Sequence, residues 1–292
     1  MTFRRTFDGR CCQAGMKITE LNPNPIVEFD FLNAGRRPNQ FYVDKLPVHV
    51  GKVDRLPDGV DALVVTADLQ GREAFPDQRQ SDELRLLGEV LPQMLRPMLA
   101  EIGISSDANV GAILAGDFYT YPDLHGRGGT GDVTHVWHAF ADEYCWVVGV
   151  AGNHDTFGDS KGMSTSRAQV HFLDNDRINL AGLKIAGLSG VVGNIKKNFR
   201  RTKEDYLDAV ESLLSDETDI MIMHDGPDAD ESGFKGIQEV REIMELTRPR
   251  LVVRGHSHWP RPLVELKNDV QVLNVDATVV ICLLYTSPSP RD

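Results

Sequence analysis

Five apolar runs in this 292-residue chain each stop at a residue able to hold a metal ion or handle a proton. The runs are 61–67 (DALVVTA), 110–115 (VGAILA), 145–150 (CWVVGV), 219–223 (DIMIM) and 251–253 (LVV), and they read as buried strands. They end, in order, at Asp68, at Asp117, at Asn153-His154-Asp155, at His224 and at His256-Ser257-His258. Helical patterns fall between them, which predicts an α/β fold. Sites in such folds gather at the carboxyl ends of strands, so groups far apart in sequence can converge.

Leucine spacing predicts a helix over 81–102, with Ser81 and Asp82 as its cap and with Pro92 and Pro97 placed to kink or divide it. Further helices are predicted over 133–143, 202–214 and 237–246, and a hairpin around Gly182 within 178–188. Residues 270–275 and 278–284 read as closing strands. Between 17 and 53, short alternating segments such as 26–31 and 41–43 suggest strands or hairpins at a sheet edge. No role for them follows from the residues alone. Residues 1–16 lack periodicity and read as a loose or artefactual start, with Met16 a candidate initiator. The tail 282–292 (CLLYTSPSPRD) resembles translated sequencing-adaptor read-through. The expectation is one domain over 17–281, its motif-bearing core at about 61–276.

A net charge of −12 argues against a general nucleic-acid or anionic-membrane binder. It leaves room for a small phosphorylated substrate, because bound cations reverse the sign locally. The four cysteines (Cys11, Cys12, Cys145, Cys282) form no Cys-x-x-Cys pair, and Cys145 reads as a small core residue. Such usage fits a reducing compartment, and with no apolar run of membrane-spanning length a cytoplasmic location is expected. Oligomeric state is not legible.

Two carboxylates, one amide and four imidazoles at the strand ends are enough for two divalent ions. In an extended segment His256 and His258, at i and i+2, point the same way. Asp117, after Gly116, is the natural carboxylate to bridge a close pair of ions.

The order Asp68 … Gly116-Asp117 … Gly152-Asn153-His154-Asp155 … His224 … Gly255-His256-Ser257-His258 resembles the calcineurin-like metallophosphoesterases over about residues 61–276. The resemblance implies a four-layer α-β-β-α sandwich with two mixed sheets and a dinuclear metal site. By position, Asp68, Asp117 and His258 would hold one ion, and Asp117, Asn153, His224 and His256 the other. His154 would face the substrate phosphate, with Asp155 behind it fixing the imidazole. The family's first motif is usually Asp-x-His, and here Gln70 stands at the histidine position. As a ligand, its amide oxygen is weaker than imidazole and favours Mn²⁺ or Mg²⁺; otherwise it holds a water.

The implied activity is hydrolysis of a phosphate mono- or diester by a water or hydroxide bridging two divalent ions, Mn²⁺ foremost, with Fe, Zn or Mg as others. His125 and Arg127, in a glycine-rich loop, are candidates for substrate contact, against the plainer reading of a solvated loop. Alternatives on the same fold are a non-catalytic metal-binding scaffold, which only Gln70 favours, and a nuclease, which the net charge disfavours.

Overall fold

Strands apolar on both faces need a cover on each side, and this chain meets that need with two large sheets and two pairs of helices, two further pairs of short strands lying outside them. The computed structural model describes residues 16–37, 40–74, 84–126, 128–160 and 162–284. In chain order the strands begin with β1 (Ile18–Leu21), β2 (Val27–Ala34), β3 (Phe41–Val53), β4 (Ala62–Ala67), β5 (Arg72–Glu73) and β6 (Val110–Leu114). Then come β7 (Gly131–Asp132), β8 (Trp146–Gly149), β9 (Asp155–Thr156), β10 (Val170–Phe172), β11 (Asp176–Leu180), β12 (Leu183–Leu188) and β13 (Val191–Val192). The last are β14 (Arg200–Arg201), β15 (Ile220–Met223), β16 (Leu251–Arg254), β17 (Leu263–Glu265), β18 (Gln271–Asn274) and β19 (Thr278–Leu284). The α-helices are α1 (Leu87–Glu101), α2 (Thr134–Glu143), α3 (Lys203–Leu213) and α4 (Gln238–Thr247).

The first sheet runs β10-β8-β6-β4-β19-β3-β2-β5, with β1 also on β3, and the second runs β11-β12-β15-β16-β18-β17. Both are mixed: β4, β6, β8 and β10 are parallel, while β19 is antiparallel to β4. Alternation along each strand assigns its residues to two different cores. In β4, Leu63 and Val65 face the core between the sheets, and Ala62 and Val64 face the core under α1 and α2. In β15, Ile220 and Ile222 enter the same inter-sheet core, while Met221 and Met223 pack under α3 and α4. The layers are therefore helix, sheet, sheet, helix.

The helix expected over 81–102 starts at Leu87, and Ser81 and Asp82 lie outside the described residues. Its prolines neither divide nor end it. Pro97 is exposed, so the carbonyl it leaves unbonded can turn to water, and buried Leu87, Leu91, Leu95 and Leu99 hold the other face. Thr202 caps α3, its hydroxyl accepting from Asp205 N at 3.1 Å.

Four expectations need correction. Residues 41–43 open a 13-residue strand, β3, which lies inside the sheet between β19 and β2. Pro47 concealed it; the residue lies opposite Glu28 of β2, and β19 begins to pair on the other side only at Val48. At the far end β19 continues past Ile281 to Leu284, and fully buried Cys282 pairs with Leu63 and Gly51. Met16 is also fully buried, in the inter-sheet core, whereas 1–15 and 285–292 lie outside the described residues. Cys145 is exposed, one position before β8.

Candidate metal centre

Three of the expected ligands stand in backbone conformations that side chains rarely adopt. Asp68 after β4, Asp117 after β6 and His256 after β16 have φ of 54°, 60° and 70°. Left-handed non-glycine residues cost about 1 kcal/mol or more and persist where the surroundings over-determine them. Here the surroundings are hydrogen bonds among the strand ends. Asp68 N donates to Gly116 O at 2.8 Å, His256 N to Asp68 Oδ2 at 2.9 Å, and His154 N to Asp117 Oδ1 at 2.8 Å. Gly152 and Gly255 make this approach possible, since a Cβ on either would collide with the carboxylate of Asp117 or of Asp68.

Asp117, His224 and His256 bring one ligand atom each to within 4.8 Å of one another. His224 is fully buried on the end of β15, with Nε2 3.1 Å from Asp117 Oδ2. Its Nδ1 faces Ala115 O at 2.8 Å and must carry the hydrogen, which leaves Nε2 as the ligand atom. Asn153 Oδ1 is among the buried atoms without a hydrogen-bond partner, and His224 Nε2 meets only the charge of Asp117, outside hydrogen-bond geometry. Buried polar atoms rarely go unsatisfied, and a divalent cation would satisfy both. Carboxylate, imidazole and amide oxygen make a donor set suited to such an ion, so the residues present fit it.

The charges of the groups follow from their crowding. Burial opposes the imidazolium of His224, but Asp117 and Asp68 outweigh it and push the group up to about 10. Desolvation, and then the neighbouring His224, push His256 down to about 4. Burial first, against the pull of His224, and then the charges of Asp276 and Asp117 hold Asp68 well above the usual carboxylate range. Several acids facing one cavity repel one another until a cation joins them.

That cavity holds about 620 Å³. Asp68, Gln70, Asp117, His154, His256 and His258 line it, together with Asp276. Glu28, Asn33, Tyr42, Asp44 and Lys45, from β2 and β3, line it too, which gives residues 17–53 a place at the site. Gln70 donates from Nε2 to Asp117 Oδ2 at 3.2 Å, so its amide nitrogen, not its oxygen, faces the bridging candidate. The side chain of His258 is 86% exposed and sits on the rim, outside the tight trio, with Nδ1 3.4 Å from Asp276 Oδ2.

Asp155 does not stand behind the imidazole of His154. Its carboxylate is fully buried and accepts from the backbone N–H of Asp117, Phe118 and Gly152, each at 2.8 Å. The imidazole of His154 instead uses Nδ1 toward Gly129 O. The three backbone hydrogens lie on two loops that must be joined, and a carboxylate joins them better than it could reach a side chain pointing into the cavity. His125 contacts Asp123 and stacks on Tyr121 away from the cavity wall, as a solvated loop would, and Arg127 lies outside the described residues.

Two residues at the centre were not singled out from the sequence. Arg254 is fully buried and donates to Gly255 O, Pro227 O and Lys235 O, locking the loop that carries His256. Asp276 follows β18 and bridges to Ala67, beside Asp68. Its signal was the same as that of the five runs, an acid directly after a buried strand. Among the described residues, no helix is long and apolar enough to cross a membrane.

No curated protein matches this chain in sequence. Among solved structures, it is similar to TT1561 of Thermus thermophilus at 14% identity, covering 75% of this chain and 90% of that one, with a TM-score of 0.48. It is similar to the phosphopantetheinyl hydrolase PptH of Mycobacterium tuberculosis at 13% identity, covering 80% and 99%, with a TM-score of 0.42. GAP50, the anchor in the inner membrane complex of Plasmodium, matches at 13% identity over 74% and 71%, also at 0.42. The sequence profile of the calcineurin-like phosphoesterases matches residues 55–260, a span that contains every strand-end ligand described above. The chain belongs to the calcineurin-like phosphoesterase family.

Proposed function

We propose that this chain hydrolyses a small phosphate mono- or diester with two divalent ions, Mn²⁺ foremost. Asp68, Asp117 and His258 would hold one, and Asp117, Asn153, His224 and His256 the other. The observation that supports this most is the convergence of Asp117, His224 and His256, which bring one ligand atom each to within 4.8 Å of one another. When bound, such ions supply Lewis acidity, lowering the pKa of a water and neutralising phosphoryl oxygens.

The chain's own groups do the rest. His154 keeps a hydrogen on Nδ1 for Gly129 O, so Nε2 is the atom presented to the cavity, 3.9 Å from Asp117 Oδ2. Protonated, Nε2 donates to the leaving oxygen as the ester bond breaks. Asp117 Oδ1 holds the backbone of His154, so one carboxylate sets both the cation side and the acid side of the reaction. The lining from β2 and β3 carries Glu28, Asn33, Tyr42, Asp44 and Lys45 beside Phe31 and Pro47, which suits a leaving group with hydroxyl or charged substituents.

The test is Mn²⁺-dependent hydrolysis of matched aryl phosphates, one monoester and one diester, with Asp117→Asn as the blank. Turnover of either ester, reduced more than ~10²-fold in the variant, is expected. Equal turnover in Asp117→Asn would remove the bridging role from the reaction.

A further inference from the structure

The side of the cavity around Asp68 is short of donors. Asp68, Asp117 and His258 offer three, whereas a divalent ion takes about four to six. Gln70 turns an N–H, not its oxygen, toward Asp117, the carboxylate the two ions would share. We propose that Asp276 is the missing oxygen donor on the Asp68 side. The inference rests on the two-ion reading above.

Three observations converge on this residue. Asp276 forms a parallel bridge with Ala67, so the chain leaving β18 runs beside the residue that precedes Asp68. Val275 accepts from Ala67 N at 3.2 Å and donates to Arg254 O at 2.8 Å. The segment thus spans the ends of β4 and β16, which deliver Asp68 and His256. The carboxylate of Asp276 lines the same cavity as Asp68, Gln70 and His258, is 17% exposed, and lies 3.4 Å from His258 Nδ1. Among the described residues it forms no ion pair with a lysine or arginine, and its contact partner is the rim histidine. An acid this shielded, aimed at a cavity that already holds two others, is poorly placed to stabilise the fold. It is well placed to receive a cation.

If Asp276 stands in for the donor that Gln70 withholds, restoring an imidazole at 70 should make Asp276 dispensable. The experiment is titration of the metal-stripped full chain with Mn²⁺, reading free Mn²⁺ by electron paramagnetic resonance, which needs no turnover. The unsubstituted chain should bind two ions. Asp276→Ala should weaken one of them by ~10–100-fold and leave the other within about 2-fold. Asp276→Asn, nearly the same in shape, should weaken the same ion and guards against misfolding of the alanine variant, with thermal melts of both as control. Gln70→His combined with Asp276→Ala should return the weakened ion to within about 3-fold of its starting affinity. Two unchanged affinities in Asp276→Ala would overturn the inference alone. So would failure of the double variant to recover, since Asp276 would then act by orienting His258. Fewer than two ions on the unsubstituted chain would overturn the two-ion reading and this inference with it.

Discussion

Asp155 carries more of the site's shape than of its chemistry. Three backbone hydrogens from two loops end on its buried carboxylate, and each left without a partner costs about 1–3 kcal/mol. Asp155→Ala should lower the melting temperature by ~10 °C while it weakens metal binding. A variant as stable as the parent yet inactive would mean that Asp155 acts on His154 after all. His224 and His256 lead to a second expectation at this scale. A cation on His224 Nε2 must displace the proton that Asp117 and Asp68 hold there up to about pH 10, and Asp68 is itself held high. His256, pushed down to about 4, is already neutral. Apparent Mn²⁺ affinity should therefore rise about 10-fold or more per pH unit between about 6.5 and 8.5, with one or two protons released per ion pair bound. A flat profile in Mn²⁺ titrations across that range would contradict it.

At the scale of elements, β2 and β3 turn a metal centre into a pocket. Asn33 and the hydroxyl of Tyr42 both donate to Asp44 Oδ2, at 3.0 and 3.1 Å, which fixes a polar patch in the lining of the cavity. None of these residues approaches the strand ends in sequence, and none belongs to the matched span. Their influence should fall on binding rather than on the reacting bond. Tyr42→Ala and Asp44→Ala should raise KM for esters with large polar leaving groups by ~10-fold and keep kcat within about 3-fold. A fall in kcat with unchanged KM would place them in the reaction instead. The helices were legible from leucine spacing because each buries one face, but the start of α1 was not. Glu89, reaching back to Leu86 N, marks that start, and the mark is a contact rather than a pattern.

For the whole molecule, β19 ties the two halves of the first sheet together, antiparallel to β4 and parallel to β3. Compared with a chain ending at Leu284, one ending at Ile281 loses the buried Cys282 and its ladder partners and should be less stable by roughly 2 kcal/mol, measured by urea denaturation. Equal midpoints would mean that the strand ends at Ile281 for purposes of stability.

Five buried strands, their order and the ligand after each were legible in the residues alone. Buried strands need uninterrupted apolar residues, and a metal ligand directly after one is conspicuous against that background. The sequence could also show that Gln70 breaks a pattern. Which group each polar side chain serves was settled by the packing of distant segments. Asp155 went to three backbone hydrogens rather than to an imidazole, Arg254 to carbonyl oxygens, and Asp276 to the side of Asp68. Those outcomes depend on distances between segments far apart in the chain, such as Asp68 and His256, and no local pattern encodes them. The same holds for β2 and β3, whose alternation announced strands but whose place beside the site was set by the sheet.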